Sequence, residues 1–172
     1  MKILSVENDI GIGIDQLKHR LKIEHEEEDQ LLQSYIDTSI QIAEHFTNLA
    51  IRIKRIEYKA RPVMGKIMLP MLPAMELEKI TLEHLGDENN DQPLDDVTNQ
   101  AKLNIEQGYI HIKHNAYCQV IYKCGFAKDN IPYSLQHGIL LHACLMYENL
   151  LSDSQELEKV FSFYRFFRRI NI

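Results

Sequence analysis

The chain of 172 residues contains little proline, glycine or cysteine. Five prolines and seven glycines are too few for a low-complexity chain, and a 45% apolar content argues against disorder. The three cysteines are an odd number and form no CxxC pair. We therefore expect Cys118, Cys124 and Cys144 to be buried thiols in a reducing compartment.

Basic residues and long apolar runs are also scarce. Nineteen Lys and Arg against 25 Asp and Glu leave a net charge of −6. This charge argues against bulk binding to the phosphate backbone of a nucleic acid, but it does not exclude a local basic patch. No apolar run reaches membrane-spanning length, and residues 1–15 lack the apolar region of a signal peptide. We expect a soluble, cytoplasmic protein without a membrane partner.

Motifs of catalysis are missing. The chain has no GxSxG, no P-loop and no GxGxxG, because the pair Gly11 and Gly13 lacks the third glycine. His111 and His114 would point to opposite faces of a strand, and His137 and His142 diverge on a helix, so neither pair can hold one metal. We interpret His142 as a packing residue and expect no enzymatic activity, cofactor or metal.

Two acidic segments are candidate cation sites. Asp87, Asn89 and Asp91 match the first three ligand positions of an EF-hand loop, but Gln92 and Thr98 occupy the glycine and glutamate positions. The loop over residues 86–100 is therefore interpreted as a mobile hairpin tip, with calcium binding as the alternative. The acidic run over residues 24–29 is interpreted as a solvated helix start, with a cation site as the alternative.

The most informative segment covers residues 131–150. Pro132 suits the first turn of a helix, and between Gly138 and Tyr147 the single polar side chain is His142. A helix that is apolar nearly all round is a buried helix, and this one is too short to span a bilayer. The rest of the chain is expected to pack around it.

Apolar spacing predicts three more helices. Ile14, Leu17 and Leu21 predict a helix of about two turns, and a longer stripe predicts a helix over residues 27–47. Ser152 and Gln155 have capping-box spacing for a C-terminal helix, whose stripe includes Leu157, Val160 or Phe161, Tyr164 and Phe167.

Between these helical parts the period changes to that of strands. Strands are predicted from residue 51, with a bulge near residues 54–55, and over residues 75–85, 101–106, 109–113 and 117–123. Gln107-Gly108 is expected to form a tight turn, and three prolines within residues 61–73 restrict any strand there to an edge or to a short length. The prediction is an α+β single domain, 1–172: a mostly helical bundle over 13–47 and 131–170, with a small antiparallel sheet inserted over about 51–124.

The C-terminal helix carries more aromatic residues than one buried stripe needs. Aromatic residues and arginine are enriched at the centres of protein interfaces. The alternative is that the helix only closes the core. The residues of the hypothetical partner interface are Phe163, Arg165, Phe166, Arg168 and Arg169.

In combination, these segments resemble the phage head–tail connector (adaptor, or head-completion) family, in its longer members from tailed phages, prophages and gene transfer agents. The opening helices (LKHRLKI over residues 17–23, then residues 29–47) resemble the family's first helix pair. The Gly125-Phe126 loop leads into a buried helix that ends in Tyr147-Glu148-Asn149, and residues 163–165 resemble the terminal helix. Leu150 stands where family members commonly have arginine.

The resemblance implies a structural protein without enzymatic activity. Such proteins form a ring of about twelve subunits that docks on the portal protein and receives the tail or a stopper protein, while DNA passes through the lumen as cargo. It implies a location in the virion neck, with assembly in the bacterial cytoplasm, and a C-terminal segment that becomes ordered on the portal. An acidic chain is compatible with a conduit that must not bind DNA tightly.

The alternative from a different class is a small-ligand or regulatory binding module, with a pocket between the sheet and the buried helix.

Overall fold

The computed structural model describes residues 1–8, 10–83, 95–128 and 130–169. The chain divides into two compact units. The β unit contains the described residues of 1–8 and 52–125, and the helical unit contains those of 9–51 and 126–172. The α+β class with a sheet region inserted between helical segments is thereby confirmed. That the two units act as a single domain stays a prediction.

Among the described residues, four helices form the helical unit. They are α1 (Ile14–Leu21), α2 (Asp29–Thr47), α3 (Tyr133–Tyr147) and α4 (Ser154–Arg165). The predicted stripe of α2 is confirmed, because Leu32, Ile36, Ser39 and Ala43 are all buried. Within the described part of the chain, no helix has the length and apolar content needed to cross a membrane.

Helix α3 lies at the centre of this unit, as predicted. It packs against α1, α2 and α4, and eight of its fifteen residues are buried. Gly138 allows α4 to approach closely, since a Cβ atom at this position would lie 2.9 Å from Cβ of Phe163 and from Cε1 of Tyr164. The close approach of these two helices therefore depends on the absence of a side chain at residue 138.

Local geometry fixes both ends of α3. Pro132 is the N-cap, with φ at −55°, which proline adopts without strain. At the other end Asn149 has a left-handed φ of 56°, its N–H donates to the carbonyl of Met146, and the N–H of Leu150 donates to that of Leu145. This is a Schellman motif, and asparagine is one of the few residues that tolerate its left-handed position. Helix α3 therefore ends within the sequence Tyr147-Glu148-Asn149.

In the described part of the β unit, eight strands form two antiparallel sheets. The five-stranded sheet has the order β1 (Lys2–Val6), β2 (Lys54–Ala60), β8 (Tyr117–Cys124), β4 (Ala74–Glu83) and β5 (Asp95–Asp96). The smaller sheet has the order β3 (Lys66–Met68), β7 (Tyr109–His111) and β6 (Lys102–Asn104). A short 3-10 helix, Thr98–Gln100, precedes β6.

The central strand β8 alternates with a period of two. Cys118, Val120, Tyr122 and Cys124 are buried, whereas the residues between them are at least partly exposed. On the other face, charged residues pair across strands, for example Nε of Arg55 with Oε2 of Glu78 at 2.6 Å. The expectation that all three cysteines are buried and free is confirmed.

The turn predicted at Gln107-Gly108 joins β6 and β7. Gly108 has φ of 69°, and a Cβ atom there would lie 2.5 Å from two carbons of Leu72. As predicted, the proline-rich segment forms only a three-residue strand, β3, at the edge of the smaller sheet.

Several predicted details were wrong. Strand β2 begins at Lys54 rather than residue 51, and the irregularity lies opposite it, in β1 between Ile3 and Ser5. Strand β1 was not predicted, because its residues are mostly exposed and do not alternate. Helix α4 is capped by Asp153, whose Oδ1 accepts from the N–H of Gln155, and not by Ser152. The EF-hand-like residues Asp87 to Gln92 lie outside the described residues.

The contact at Gly138 leads to a stability prediction. Gly138→Ala should lower the free energy of unfolding by about 1–3 kcal/mol, because α4 must move to admit the methyl group. Chemical denaturation measures this change. Gly13→Ala is the matched control, since nothing lies within 4 Å of its Cβ position. Equal losses in the two variants would contradict the close packing of α3 and α4.

Candidate functional site

The aromatic side chains of α4 and the residues after it divide into a packed set and an exposed set. Tyr164 is fully buried, and Phe161 and Phe167 pack against the core at its margin. The ring of Phe161 lies 4.9 Å from that of Phe46 on α2. Phe166, by contrast, is 86% exposed. Most of the aromatic residues of this segment therefore pack against the core, and Phe166 is the one whose ring is largely exposed.

The predicted interface residue Phe163 lies between these two sets. Its ring is partly buried at the seam between α3 and α4, 5.0 Å from the imidazole of His137, and its Cβ atom faces Gly138. Phe163 therefore contributes to the packing of α4, and its remaining exposed edge borders the surface that carries Phe166.

A second exposed aromatic ring, Tyr133, belongs to the same end of the helical unit. Helices α3 and α4 run antiparallel, since His142 contacts Phe161 while His137, closer to the start of α3, contacts Phe163. Tyr133 lies one turn before His137 in α3, and Phe166 lies about one turn after Phe163 of α4. The two residues are therefore at the same end of the antiparallel pair. Tyr133 is 88% exposed. Sequence reasoning missed it, although a tyrosine directly after a helix-starting proline was a usable signal.

The three predicted arginines have different surroundings. Nη2 of Arg165 lies 2.6 Å from Oε1 of Glu158, but both side chains are exposed, so the pair contributes little stability. The guanidinium carbon of Arg168 lies 5.3 Å from the ring centre of Phe46, a cation–π contact. The side chain of Arg169 is exposed.

The backbone at Arg169 is anchored to the end of α2. Its N–H donates to the carbonyl oxygen of Thr47 at 2.9 Å, and its carbonyl accepts from Nδ2 of Asn48 at 2.9 Å. The expectation that the C-terminal segment becomes ordered only on a partner is therefore wrong for residues 154–169. These residues are packed against the core of the isolated chain, so a partner would meet a preformed surface.

His142 lies in the core, as interpreted. It is 2% exposed, its Nδ1 lies 3.4 Å from the hydroxyl oxygen of Tyr164, and burial lowers the pKa of the imidazole. Among the described residues, no three His, Cys, Asp or Glu side chains are grouped so that they could hold a metal ion.

Grooves lie at the surface of the smaller sheet, among the described residues of the β unit. One, of about 490 Å³, follows β6 and β7 and includes Tyr109 and His111 in its lining. Another, of about 400 Å³, lies beside β3, where Val63 and Met64 are exposed. Neither groove lies on the C-terminal surface of the helical unit.

Known proteins resemble this chain in sequence and in fold. A family model for phage gp6-like head-tail connector proteins matches residues 12–80. This confirms the resemblance that the opening helices indicated. No curated protein matches the chain significantly.

Among solved structures, a chain in the virion of a native gene transfer agent (GTA) particle has a TM-score of 0.77 at 16% identity, covering 99% of this chain and 96% of that chain. Chains in the neck of an empty GTA particle, computed with C6 symmetry, and of a native one, computed with C12 symmetry, each have a TM-score of 0.72 at 17% identity. Each covers 100% of this chain and 97% of that chain. The fold is therefore shared along the whole chain.

The positions of the two phenylalanines lead to opposite expectations. Phe163→Ala should destabilise the protein by about 1–3 kcal/mol, because it removes packing at the seam of α3 and α4. Phe166→Ala should change stability by less than about 0.5 kcal/mol, because the ring is exposed, and should weaken partner binding instead. Thermal denaturation and a binding assay separate the two effects. A large loss of stability in Phe166→Ala would contradict the assignment of this ring to the surface.

Burial of His142 predicts a pH dependence of stability. Because its pKa is lowered from 6.5 in the folded state, the unfolded chain takes up a proton first as the pH falls below that value. The contribution of neutral His142 to stability is therefore fully present above the unfolded pKa of 6.5 and decreases as the pH falls below it. In His142→Gln the difference in melting temperature between pH 8 and pH 5 should shrink. Replacing the exposed His111 by glutamine should leave that difference unchanged, and equal behaviour of both variants would contradict the account.

Proposed function

We propose that this chain is a head–tail connector protein, a structural subunit of the neck of a tailed phage, prophage or gene transfer agent particle. The observation that carries the proposal is the fold shared over nearly the whole chain with chains of gene transfer agent particles, two of them from the neck. The connector family model matches within the same chain, over α1, α2, β2, β3 and most of β4.

The proposed role is non-enzymatic. A connector needs a rigid scaffold with surfaces at fixed distances, and the helical unit supplies one through the buried core around α3. A net charge of −6 keeps the attraction for a DNA backbone weak, which suits a ring through which DNA must slide.

The partners follow from this role. Copies of the chain form a ring, which docks on the portal protein on one side and receives the tail or a stopper protein on the other. Assembly takes place in the bacterial cytoplasm and ends in the virion neck. The surface around Phe166, Arg168 and Arg169 supports a partner contact, because aromatic and arginine side chains are exposed there on an ordered backbone.

Binding to portal rings tests the proposal. The purified chain, mixed with portal rings of its own phage or element, should give one complex whose mass by light scattering exceeds that of the portal by a whole number of copies. Bovine serum albumin mixed with the same rings gives the background. A chain that stays monomeric and never co-elutes with portal rings would overturn the connector role.

A further inference from the structure

We propose that neighbouring copies in the ring contact each other through opposite ends of their helical units. The aromatic and basic end of one copy packs on the acidic end of the next. This inference rests on the proposed ring and names the partner of the C-terminal surface as a second copy of this chain.

The basic end is placed by a contact between α3 and α4. The ring of His137, in the second turn of α3, lies 5.0 Å from that of Phe163, near the end of α4. The residues after α4 continue from there, and the N–H of Arg169 donates to the carbonyl oxygen of Thr47 at the end of α2. The exposed residues of this end are Tyr133, Phe166, Arg168 and Arg169.

The acidic end lies at the other end of α3. The hydroxyl of Tyr147 donates to Oε2 of Glu28 at 2.9 Å, which brings the start of α2 beside the end of α3. Helix α4 begins there too, after a short turn, with Asp153 and Glu156 in its first residues. The exposed acidic residues of this end are Glu24, Glu26, Glu27, Glu148 and Asp153.

Both ends also expose apolar side chains. Tyr133 and Phe166 are 88% and 86% exposed at the basic end. At the acidic end Leu31, Leu150 and Leu151 are 43%, 39% and 43% exposed. The basic end combines its apolar side chains with arginines, and the acidic end combines them with carboxylates that outnumber its exposed cation, Lys22. Interfaces commonly combine a desolvated apolar centre with a polar rim in this way.

The basic end and the acidic end of one copy are too far apart to contact each other. Helix α3 has fifteen residues, so its ends are separated by about 20 Å, which is roughly twice the screening length at physiological salt. A contact between two different patches is heterologous, and repeated heterologous contacts close into a ring when the rotation between copies permits it. The two-ended charge pattern thus fits a second copy better than an unrelated partner.

Charge reversal with rescue tests this contact. Arg168→Glu with Arg169→Glu makes both ends of the helical unit acidic, and Glu26→Lys with Glu27→Lys makes both ends basic. Each double variant alone should lose self-association, by about tenfold or more in dissociation constant. The two mixed in equal amounts should assemble again as alternating copies, and a chain with all four changes should assemble by itself.

The measurement is the mass distribution by sedimentation velocity at low salt, with and without portal rings. Lys2→Glu with Lys113→Glu is the matched control, because it makes the same charge change on exposed residues of the β unit and should assemble normally. Circular dichroism confirms that each variant is folded. Folded double variants that lose assembly and regain it on mixing support the proposal.

Two results would overturn the contact, and they differ from failure of the connector role. If both double variants form rings like the wild type, the ring contact lies elsewhere. If the arginine variant forms rings but no longer binds portal rings, its surface docks on the portal instead, and the connector role stands. A wild-type chain that forms no ring either alone or on the portal removes the proposed function itself.

Discussion

The helical unit depends on the burial of one helix by three others. Helix α3 has almost no polar face, so it is stable only when α1, α2 and α4 cover it. Gly138 sets how closely α4 approaches, and the left-handed Asn149 stops the helix where the chain must turn back. This packing also fixes the position of the C-terminal residues. Tyr164 and Phe161 anchor α4 to the core, and the chain then continues to Arg168 and Arg169 beside the end of α2.

This constraint also decides where function can lie. Because His142 is enclosed in the core, the side chains that the helical unit offers to a neighbour include those exposed at its two ends. Those ends differ, since one carries exposed aromatic rings with arginines and the other carries leucines with carboxylates. A protein that assembles into a particle neck needs surfaces of this kind, which are rigid before the partner arrives and therefore lose little entropy on binding.

Much of the fold could be predicted from periodicity. The stripe of α2, the apolar run of α3 and the alternation in β8 each follow from a local pattern that one buried face imposes. Strand β1 escaped because an exposed edge strand has no such pattern. The site was harder, since Phe163 and Phe166 are equivalent in sequence, and only the approach of α3 through Gly138 buries part of the first. Tyr133 joins the surface that carries Phe166 because α3 and α4 pair antiparallel. No local sequence pattern predicts that pairing.

The central claim is that copies of this chain form a closed ring in the neck of a particle. Electron microscopy of the chain bound to its portal tests this most directly. We expect class averages with one additional ring, coaxial with the portal and with an open lumen for duplex DNA. Copies bound singly around the portal without contacts to one another, or a lumen closed by the chain itself, would contradict it.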